Sequence, residues 1–336
     1  MSKIKKYVIL LLLILGISCS ISLYLPKIYI ASSHLKINAP HHYIFNTLNN
    51  LSLQTDWNYL ASLDTLFQIS CSGNFRNTGA SCDFSSKNYG AGVLRIIYSL
   101  ASDTIAITEE QKSKKDKLFQ YRIVRLDSTK SEIYVQAQSS SGFITNLWNF
   151  VHKRKLRKQL KQNLQNLNIL VNDRFENNVY NGYKITEAAI NKRYFISHRS
   201  KVLVKNIQEY YSKNISNLYQ IALENGLVIS GMPCGLFYNK NKSYKEYDMA
   251  AALPTLSEFN IKDCESIIIE PRQAIIVEFK GENSSSGPAY NAITEYMLDH
   301  NIKNNSPIIE EYQTDPTSEP DPQKWATKII YYILPK

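Results

Sequence analysis

The sequence predicts a mixed α+β protein with two globular domains behind an apolar N-terminal helix. Three observations predict it: an uncharged apolar run at residues 7–25, a series of strand-like segments closed by a helical segment at 143–175, and a strand-helix-strand-strand pattern that occurs twice after residue 183. The 336 residues are enough for two ordinary domains beyond the helix. Hydrophobic residues make up 44% of the chain and charged residues 20%, which is typical of globular proteins.

The first predicted element is a single-pass membrane anchor within residues 1–30. Its apolar run, YVILLLLILGISCSISLYL at residues 7–25, carries no charge and is long enough to cross the hydrocarbon core as a helix. Lys3, Lys5 and Lys6 precede the run and are expected to stay in the cytoplasm, so that the domains lie on the outer side of the cell membrane. A cleaved signal peptide, a lipoprotein signal and an ordinary buried helix are the alternatives.

The formal net charge of +10 raises the question of nucleic-acid binding. Part of that charge is local, because six basic residues form one run between positions 153 and 161, and the sequence has no nucleic-acid-binding fingerprint. We therefore expect no nucleic-acid partner. The basic run is either a solvated helix face or a surface that contacts anionic lipid headgroups beside the anchor.

The cysteines indicate a disulfide rather than a metal site. Cys71 and Cys82 bracket the turn-rich loop SGNFRNTGAS, and a hairpin of that shape brings its two ends together. A disulfide is chemically permitted outside the cytoplasm, and two small buried apolar residues are the alternative. No cysteine pair has metal-site spacing, and there is no glycine-rich phosphate loop, so neither a metal nor another cofactor is predicted.

The first domain is placed at residues 33–178. A short strand at His34–Ile37 precedes a helix opened by Ala39-Pro40, since proline suits the first helical position. Six strand-like runs between residues 66 and 138 predict one antiparallel sheet. From Phe143 to Phe175 apolar residues recur at spacings of three and four, which predicts a long amphipathic helix.

This domain resembles the START-like superfamily, which includes polyketide cyclase-type proteins. The resemblance lies in INAPHHYIFNTLNN, Trp57, the hairpin GASCDFSSKNYGAG and the closing helix. It implies a helix-grip fold in which sheet and helix enclose an apolar cavity. It implies ligand binding and no particular chemistry, because members of one fold carry different functions.

The second domain is placed at residues 183–336 and contains an internal repeat, with copies at about 190–256 and 267–335. A shift of 74 positions aligns Pro233 with Pro307 and Tyr238 with Tyr312. Each copy reads as strand, helix, strand, strand. Two such units usually form one sheet about a pseudo-twofold axis, and their junction is a natural ligand site.

The duplicated unit, with EEYQTDP, a proline-rich loop and TKIIYYI, resembles the GyrI-like domain, which is also the effector-binding domain of AraC-type regulators. The resemblance implies that Glu310 faces a pocket and contacts a cationic or polar group of an otherwise apolar ligand, with Tyr312 beside it. Leu236 and Tyr238 are the aligned pair of copy one, and all four are predicted to bind ligand. The alternative places Glu310 on the solvent-exposed face of its strand.

These features predict a membrane-anchored, non-enzymatic protein that binds a lipophilic small molecule, and the Glu310 carboxylate favours a cationic one. One alternative is a hydrolase of the GyrI-like type with Glu310 as acid/base, although one carboxylate and one phenol are not a distinctive catalytic set. A second alternative is a membrane-associated interaction scaffold, for which no protein partner is predicted. Replacing Glu310 by glutamine separates binder from enzyme, because a binder loses affinity for cations whereas an enzyme loses turnover.

Overall fold

A computed structural model describes residues 3–100, 103–111, 115–142, 145–239, 246–261, 264–314 and 319–334. The side chains at positions 3–6, 9, 11, 14, 15, 19, 145 and 146 lie outside this description. The chain divides into two compact units, Met1–Glu176 and Asn177–Lys336. Both units combine antiparallel strands with helices, which confirms the predicted mixed α+β class.

The first unit contains five helices and a seven-stranded sheet within its described residues. Their bounds are α1 Lys3–Tyr24, β1 Ile28–Ile37, α2 His41–Leu48, α3 Gln54–Trp57, α4 Tyr59–Leu63, β2 Gln68–Ser70, β3 Ser81–Ser86, β4 Gly90–Leu100, β5 Thr104–Gln111, β6 Lys117–Arg125, β7 Ser131–Ser140 and α5 Asn149–Asn177. The last helix begins at Asn149 rather than at the predicted Phe143, which lies outside the described residues.

The order of strands in this sheet is β1-β7-β6-β5-β4-β3-β2, and every ladder is antiparallel. Alternate residues are buried along β6 and β7, as expected for a sheet with one covered face. The buried stripe of α5 joins the same apolar core as the inner face of the sheet. A sheet packed against a long C-terminal helix is the arrangement that the START-like resemblance implies.

No helix of the described residues is long and apolar enough to cross a membrane. Several side chains of the predicted span lie outside the description.

The structure joins Cys71, just after β2, to Cys82 in β3 by a disulfide, with their Cα atoms 4.3 Å apart.

The second unit contains two helices and ten strands within its described residues. Their bounds are β8 Val179–Tyr180, β9 Tyr183–Lys184, β10 Thr186–Ile190, β11 Arg193–Leu203, α6 Ile207–Glu224, β12 Cys234–Asn239, β13 Glu246–Thr255, β14 Glu265–Ile269, β15 Arg272–Lys280, α7 Gly287–Asp299, β16 Asn304–Tyr312 and β17 Ala326–Ile333. Strands β8 and β9 form a separate two-stranded ladder.

The remaining eight strands form one sheet in the order β10-β15-β17-β16-β12-β13-β11-β14. Each half contributes strand, helix, strand, strand: β11, α6, β12 and β13, then β15, α7, β16 and β17. The two copies meet where β12 pairs with β16. The short strands β10 and β14 precede the copies, and each pairs with the first strand of the other copy. This exchange of edge strands is absent from the sequence-based prediction.

Both helices pack on the same face of this sheet. Helix α7 covers β15 and β17, and α6 covers β11 and β13. The opposite face buries its own apolar cluster, which includes Leu236, Ile309 and Tyr332. Side chains alternate between the two faces of a strand, so successive residues of a central strand face the helices and this second cluster in turn.

Candidate ligand-binding site

A buried carboxylate lies on the helix-facing side of the second unit, in the central strand β16. Glu310 is 6% exposed, so it does not lie on the solvent-exposed face that was the alternative. Four tyrosines from both helices and two strands surround it; we call Tyr211, Tyr290, Tyr312 and Tyr331 the tyrosine cluster.

Two hydroxyls of the tyrosine cluster hold the two oxygens of Glu310. The Tyr290 hydroxyl, from α7, donates to Oε1, and the Tyr312 hydroxyl donates to Oε2 at 2.8 Å. Glu310 and Tyr312 share a face because they stand two residues apart in one strand. Hydrogen bonds to an ionised group are stronger than neutral ones, so both oxygens are fixed in orientation.

The other two tyrosines extend the aromatic wall. The Tyr211 ring, from α6, packs edge to face on Tyr312 with centroids 4.7 Å apart. The Tyr331 ring meets Tyr290 edge to face at 6.1 Å. Within the described residues, the buried Tyr211 hydroxyl has no hydrogen-bond partner. It is therefore available to donate to a bound molecule.

Burial controls the protonation of these phenols. It raises the pKa of Tyr290 and of Tyr312 well above the ordinary value, and the charge of Glu310 raises both further. Burial likewise raises the pKa of Tyr211 and of Tyr331. All four remain neutral hydroxyl donors at physiological pH, so they can support a carboxylate but cannot themselves become anions there.

A glycine directly opposite Glu310 makes room for the cluster. Gly235 in β12 is the Cα partner of Glu310. A Cβ atom at this position would lie 2.9 Å from the Phe237 ring and 3.0 Å from the Tyr312 hydroxyl oxygen. Real Cβ atoms almost never come that close, so the space beside Tyr312 requires a residue without a side chain.

The neighbouring carboxylate has a different environment. Glu311 points to the opposite face of the sheet, where Arg193 holds it by an ion pair of 2.7 Å. Arg193 remains charged, with a raised pKa. The adjacent acids thus differ in role: Glu311 belongs to an ion pair, and Glu310 belongs to an aromatic cluster.

The structure separates two of the four predicted binding residues from the other two. Glu310 and Tyr312 come together, whereas Leu236 and Tyr238 lie on the opposite face. Leu236 pairs with Ile309 and is fully buried in the second apolar cluster. Tyr238 packs against that cluster, with the guanidinium of Arg199 3.5 Å from its ring centroid. The structure therefore does not bring Leu236 and Tyr238 together with Glu310.

The alignment of the two copies in the sequence differs from their register in the structure by one residue. In copy one, Ala252 pairs with Ser197 on one side and with Cys234 on the other. In copy two, Ile330 pairs in the same way with Ile276 and Ile309. They make Cys234 the counterpart of Ile309 and Gly235 the counterpart of Glu310. The true offset at these strands is 75 positions rather than 74. One position exchanges the two faces of a strand.

Three members of the tyrosine cluster, and Gly235, were not predicted from the sequence to belong to the site. A signal for two of them was present. Tyr211 and Tyr290 lie 79 positions apart, the offset that also relates Arg193 and Arg272 at the starts of β11 and β15. A tyrosine repeated on the apolar stripe of both helices indicates a shared position at the pseudo-twofold axis.

The interior of the first unit contains a second set of buried polar groups. Trp57 is 1% exposed, and its indole N–H has no acceptor within the described residues. The same holds for the side-chain nitrogen of Gln159, on the inward face of α5. No group of three or more potential metal ligands occurs among the described residues.

Residues 184–333 match the family described as "GyrI-like small molecule binding domain", which confirms the predicted GyrI-like domain. No curated protein matches the chain.

Several solved structures are similar to parts of this chain. The C-terminal domain of EcmrR is 18% identical and covers 46% of this chain and 99% of its own, with a TM-score of 0.42. A START superfamily protein from Mycobacterium smegmatis is 13% identical and covers 43% and 98%, with a TM-score of 0.35. SAV2435 bound to tetraphenylphosphonium is 12% identical and covers 45% and 94%, with a TM-score of 0.34.

Proposed function

We propose that this protein binds a lipophilic organic cation at Glu310 and the tyrosine cluster, without catalysing a reaction. We further propose that residues 7–25 anchor it in the cell membrane, with both units on the outer side. The observation that carries the binding proposal is a carboxylate that is 6% exposed, held at both oxygens by tyrosine hydroxyls and walled by aromatic rings.

The charge of the ligand follows from the electrostatics of this position. An ionised carboxylate in an apolar environment costs several kcal/mol unless opposite charge and hydrogen bonds compensate. The hydroxyls of Tyr290 and Tyr312 supply hydrogen bonds to both oxygens of Glu310. A cation beside Glu310 adds the opposite charge, and the faces of Tyr211 and Tyr331 add cation–π attraction.

The lipophilic character follows from the walls of the site. The aromatic rings offer apolar area, and buried aromatic surface favours ligands that leave water readily. A delocalised organic cation combines weak hydration with positive charge, whereas a compact ammonium ion would lose more hydration on entry. An anchor in the membrane would hold the protein at the phase in which such molecules accumulate.

Two probes of the same shape and opposite charge test the proposal. Tetraphenylphosphonium and tetraphenylborate are titrated by calorimetry into the full-length protein in detergent micelles, with ligand–micelle partitioning subtracted. Glu310→Gln keeps the size of the side chain and removes its charge. Glu278→Gln is the matched control, because Glu278 is exposed on β15.

We expect the cation to bind and the anion to bind far more weakly. Glu310→Gln should weaken the cation by about 2–3 kcal/mol, or roughly 30- to 150-fold in Kd, because it removes a charged interaction in a buried site. Glu278→Gln should leave that Kd unchanged. Equal affinity for both probes, or a cation affinity that Glu310→Gln leaves unchanged, contradicts the proposal.

A further inference from the structure

We propose that the start of α5, with the residue before it, forms a second membrane-contact surface that rests on an anionic phospholipid bilayer. We call this surface the α5 face; it consists of Trp148, Phe150, Lys153, Arg154, Lys155, Arg157, Lys158 and Lys161. The inference rests on the proposed anchoring through residues 7–25. Its test separates failure of the anchor from failure of the surface.

The aromatic part of the α5 face is unusually exposed. Trp148 is 61% exposed and Phe150 is 76% exposed. The other two tryptophans of the chain differ, because Trp57 is buried and Trp325 is half-buried with its indole N–H bonded to the Glu319 carbonyl. Large aromatic side chains that a fold leaves in solvent are typical of the headgroup region of a bilayer.

The basic part continues from the aromatic part along one helix. All six cations between positions 153 and 161 are exposed, and none forms an ion pair within the described residues. Phe150, Arg154, Lys158 and Lys161 follow at spacings of four, four and three, so aromatic and charged groups share a stripe. The first acidic residue of α5 is Asp173, near its far end.

This arrangement of charge is unfavourable for the isolated protein. Cations at spacings of four, such as Lys153 with Arg157 and Arg154 with Lys158, repel each other. Several of them also stand in the first turns of α5, where the helix dipole is positive and anions are favoured. An anionic partner would relieve both effects.

The structure ties the α5 face to the end of the predicted membrane span. The side-chain amide of Asn149 donates to the Pro26 carbonyl at 2.7 Å. Nearby, the backbone N–H of Ser141 donates to the Lys27 carbonyl at 2.8 Å. Pro26 directly follows residues 7–25, so an anchored chain holds Trp148 and Phe150 close to the bilayer surface.

These observations favour a bilayer over other occupants. A second copy of this chain would bring like charges together. A nucleic acid would use the cations and stack on the aromatic rings, but it would not account for their position beside the end of the predicted span. Anionic lipid uses both, because cations interact with the headgroups and aromatic rings enter the interface.

The native tryptophan supplies the probe. The full-length protein is reconstituted into vesicles of phosphatidylcholine with or without phosphatidylglycerol, and flotation reports incorporation. Tryptophan emission is then compared with and without phosphatidylcholine brominated in its acyl chains. Trp148→Phe identifies the share of emission that belongs to Trp148.

The charge requirement is tested by a triple variant, Arg154→Gln, Lys158→Gln and Lys161→Gln. Its matched control carries Lys205→Gln, Lys213→Gln and Lys280→Gln, which are exposed lysines of the second unit. Each cation near an anionic surface changes the docking equilibrium about fivefold. The triple variant should therefore lower it on the order of a hundredfold, and the control should not.

We expect brominated lipid to quench the emission of Trp148 in anionic vesicles, and to quench it less in the triple variant. If the protein is incorporated but brominated lipid does not quench the emission of Trp148, the proposal is overturned and the anchor is left intact. Emission that instead responds only to an added oligonucleotide assigns the α5 face to a polyanion and also overturns it. Protein that fails to float with either vesicle contradicts both the anchor and the surface.

Discussion

Adding one methyl group at Gly235 should disturb the site without touching its carboxylate. In Gly235→Ala the new Cβ would lie 3.0 Å from the Tyr312 hydroxyl oxygen and 2.9 Å from the Phe237 ring. Phe237 is buried in a packed cluster and can move little, whereas Tyr312 can swing its ring tip. That movement lengthens the 2.8 Å bond from Tyr312 to Glu310.

The expected cost has two parts. Overpacking a tight interior by a methyl group costs about 1–3 kcal/mol. Part of that cost comes from the contact with the Tyr312 hydroxyl, so the cost of Gly235→Ala should be smaller when Tyr312→Phe removes the oxygen. The two substitutions should then be non-additive by about 0.5–1.5 kcal/mol, within the range found for residues in contact. Gly287→Ala, in the same unit, is the control, because its Cβ would meet no atom within 4 Å.

The stability of the second unit can be followed separately from that of the first. Cys234, next to Gly235, is fully buried and not in a disulfide. Burial raises the pKa of its thiol to about 12, so the folded unit protects it from alkylation. Pulse labelling with a maleimide in increasing urea, analysed by peptide mass spectrometry, therefore reports local unfolding. Additive costs within about 0.3 kcal/mol would refute the coupling through Tyr312.

Three further predictions concern the first unit. Gly92→Ala should prevent its stable folding, seen as loss of cooperative melting, because the new Cβ would overlap a backbone oxygen of β5 that no side-chain rotation can move. The Ser86 hydroxyl and backbone N–H groups lower the pKa of Asp64 below 3.8. Its stabilisation is thus present above pH 3.8 and lost as pH falls through the lowered value, so melting temperatures of wild type and Asp64→Asn should converge in acid. Cys71 and Cys82 should resist alkylation until reduced, and two free thiols in the unreduced protein would contradict the disulfide.

Much of the architecture was predictable because it depends on long patterns. The alternation of strands and the stripe of α5 extend over many residues, so an error at one position does not change the element. The edge strands β10 and β14 were missed because each is only five residues long and pairs with the other copy. Their place in the sheet depends on partners far away in sequence.

The binding site was harder to predict because it depends on register. Glu310 and Tyr312 were found together since they lie in one strand, and the period of two fixes their common face. Leu236 and Tyr238 were aligned with Glu310 and Tyr312 because prolines and tyrosines match at an offset one position short of the one in the structure. An irregularity in the ladder between β16 and β17, between Asn305 and Ile309, shifts the register there. An alignment without gaps cannot follow such a shift.

The location of a bound cation tests the central claim most directly. Tetraphenylarsonium has the shape and charge of tetraphenylphosphonium, and its arsenic atom scatters X-rays anomalously. Crystals of the protein grown with it should show an arsenic peak beside the Glu310 carboxylate, within about 6 Å of at least one ring centroid of the tyrosine cluster. An arsenic peak in the interior of the first unit, near Trp57 and Gln159, with none at Glu310, would contradict the account.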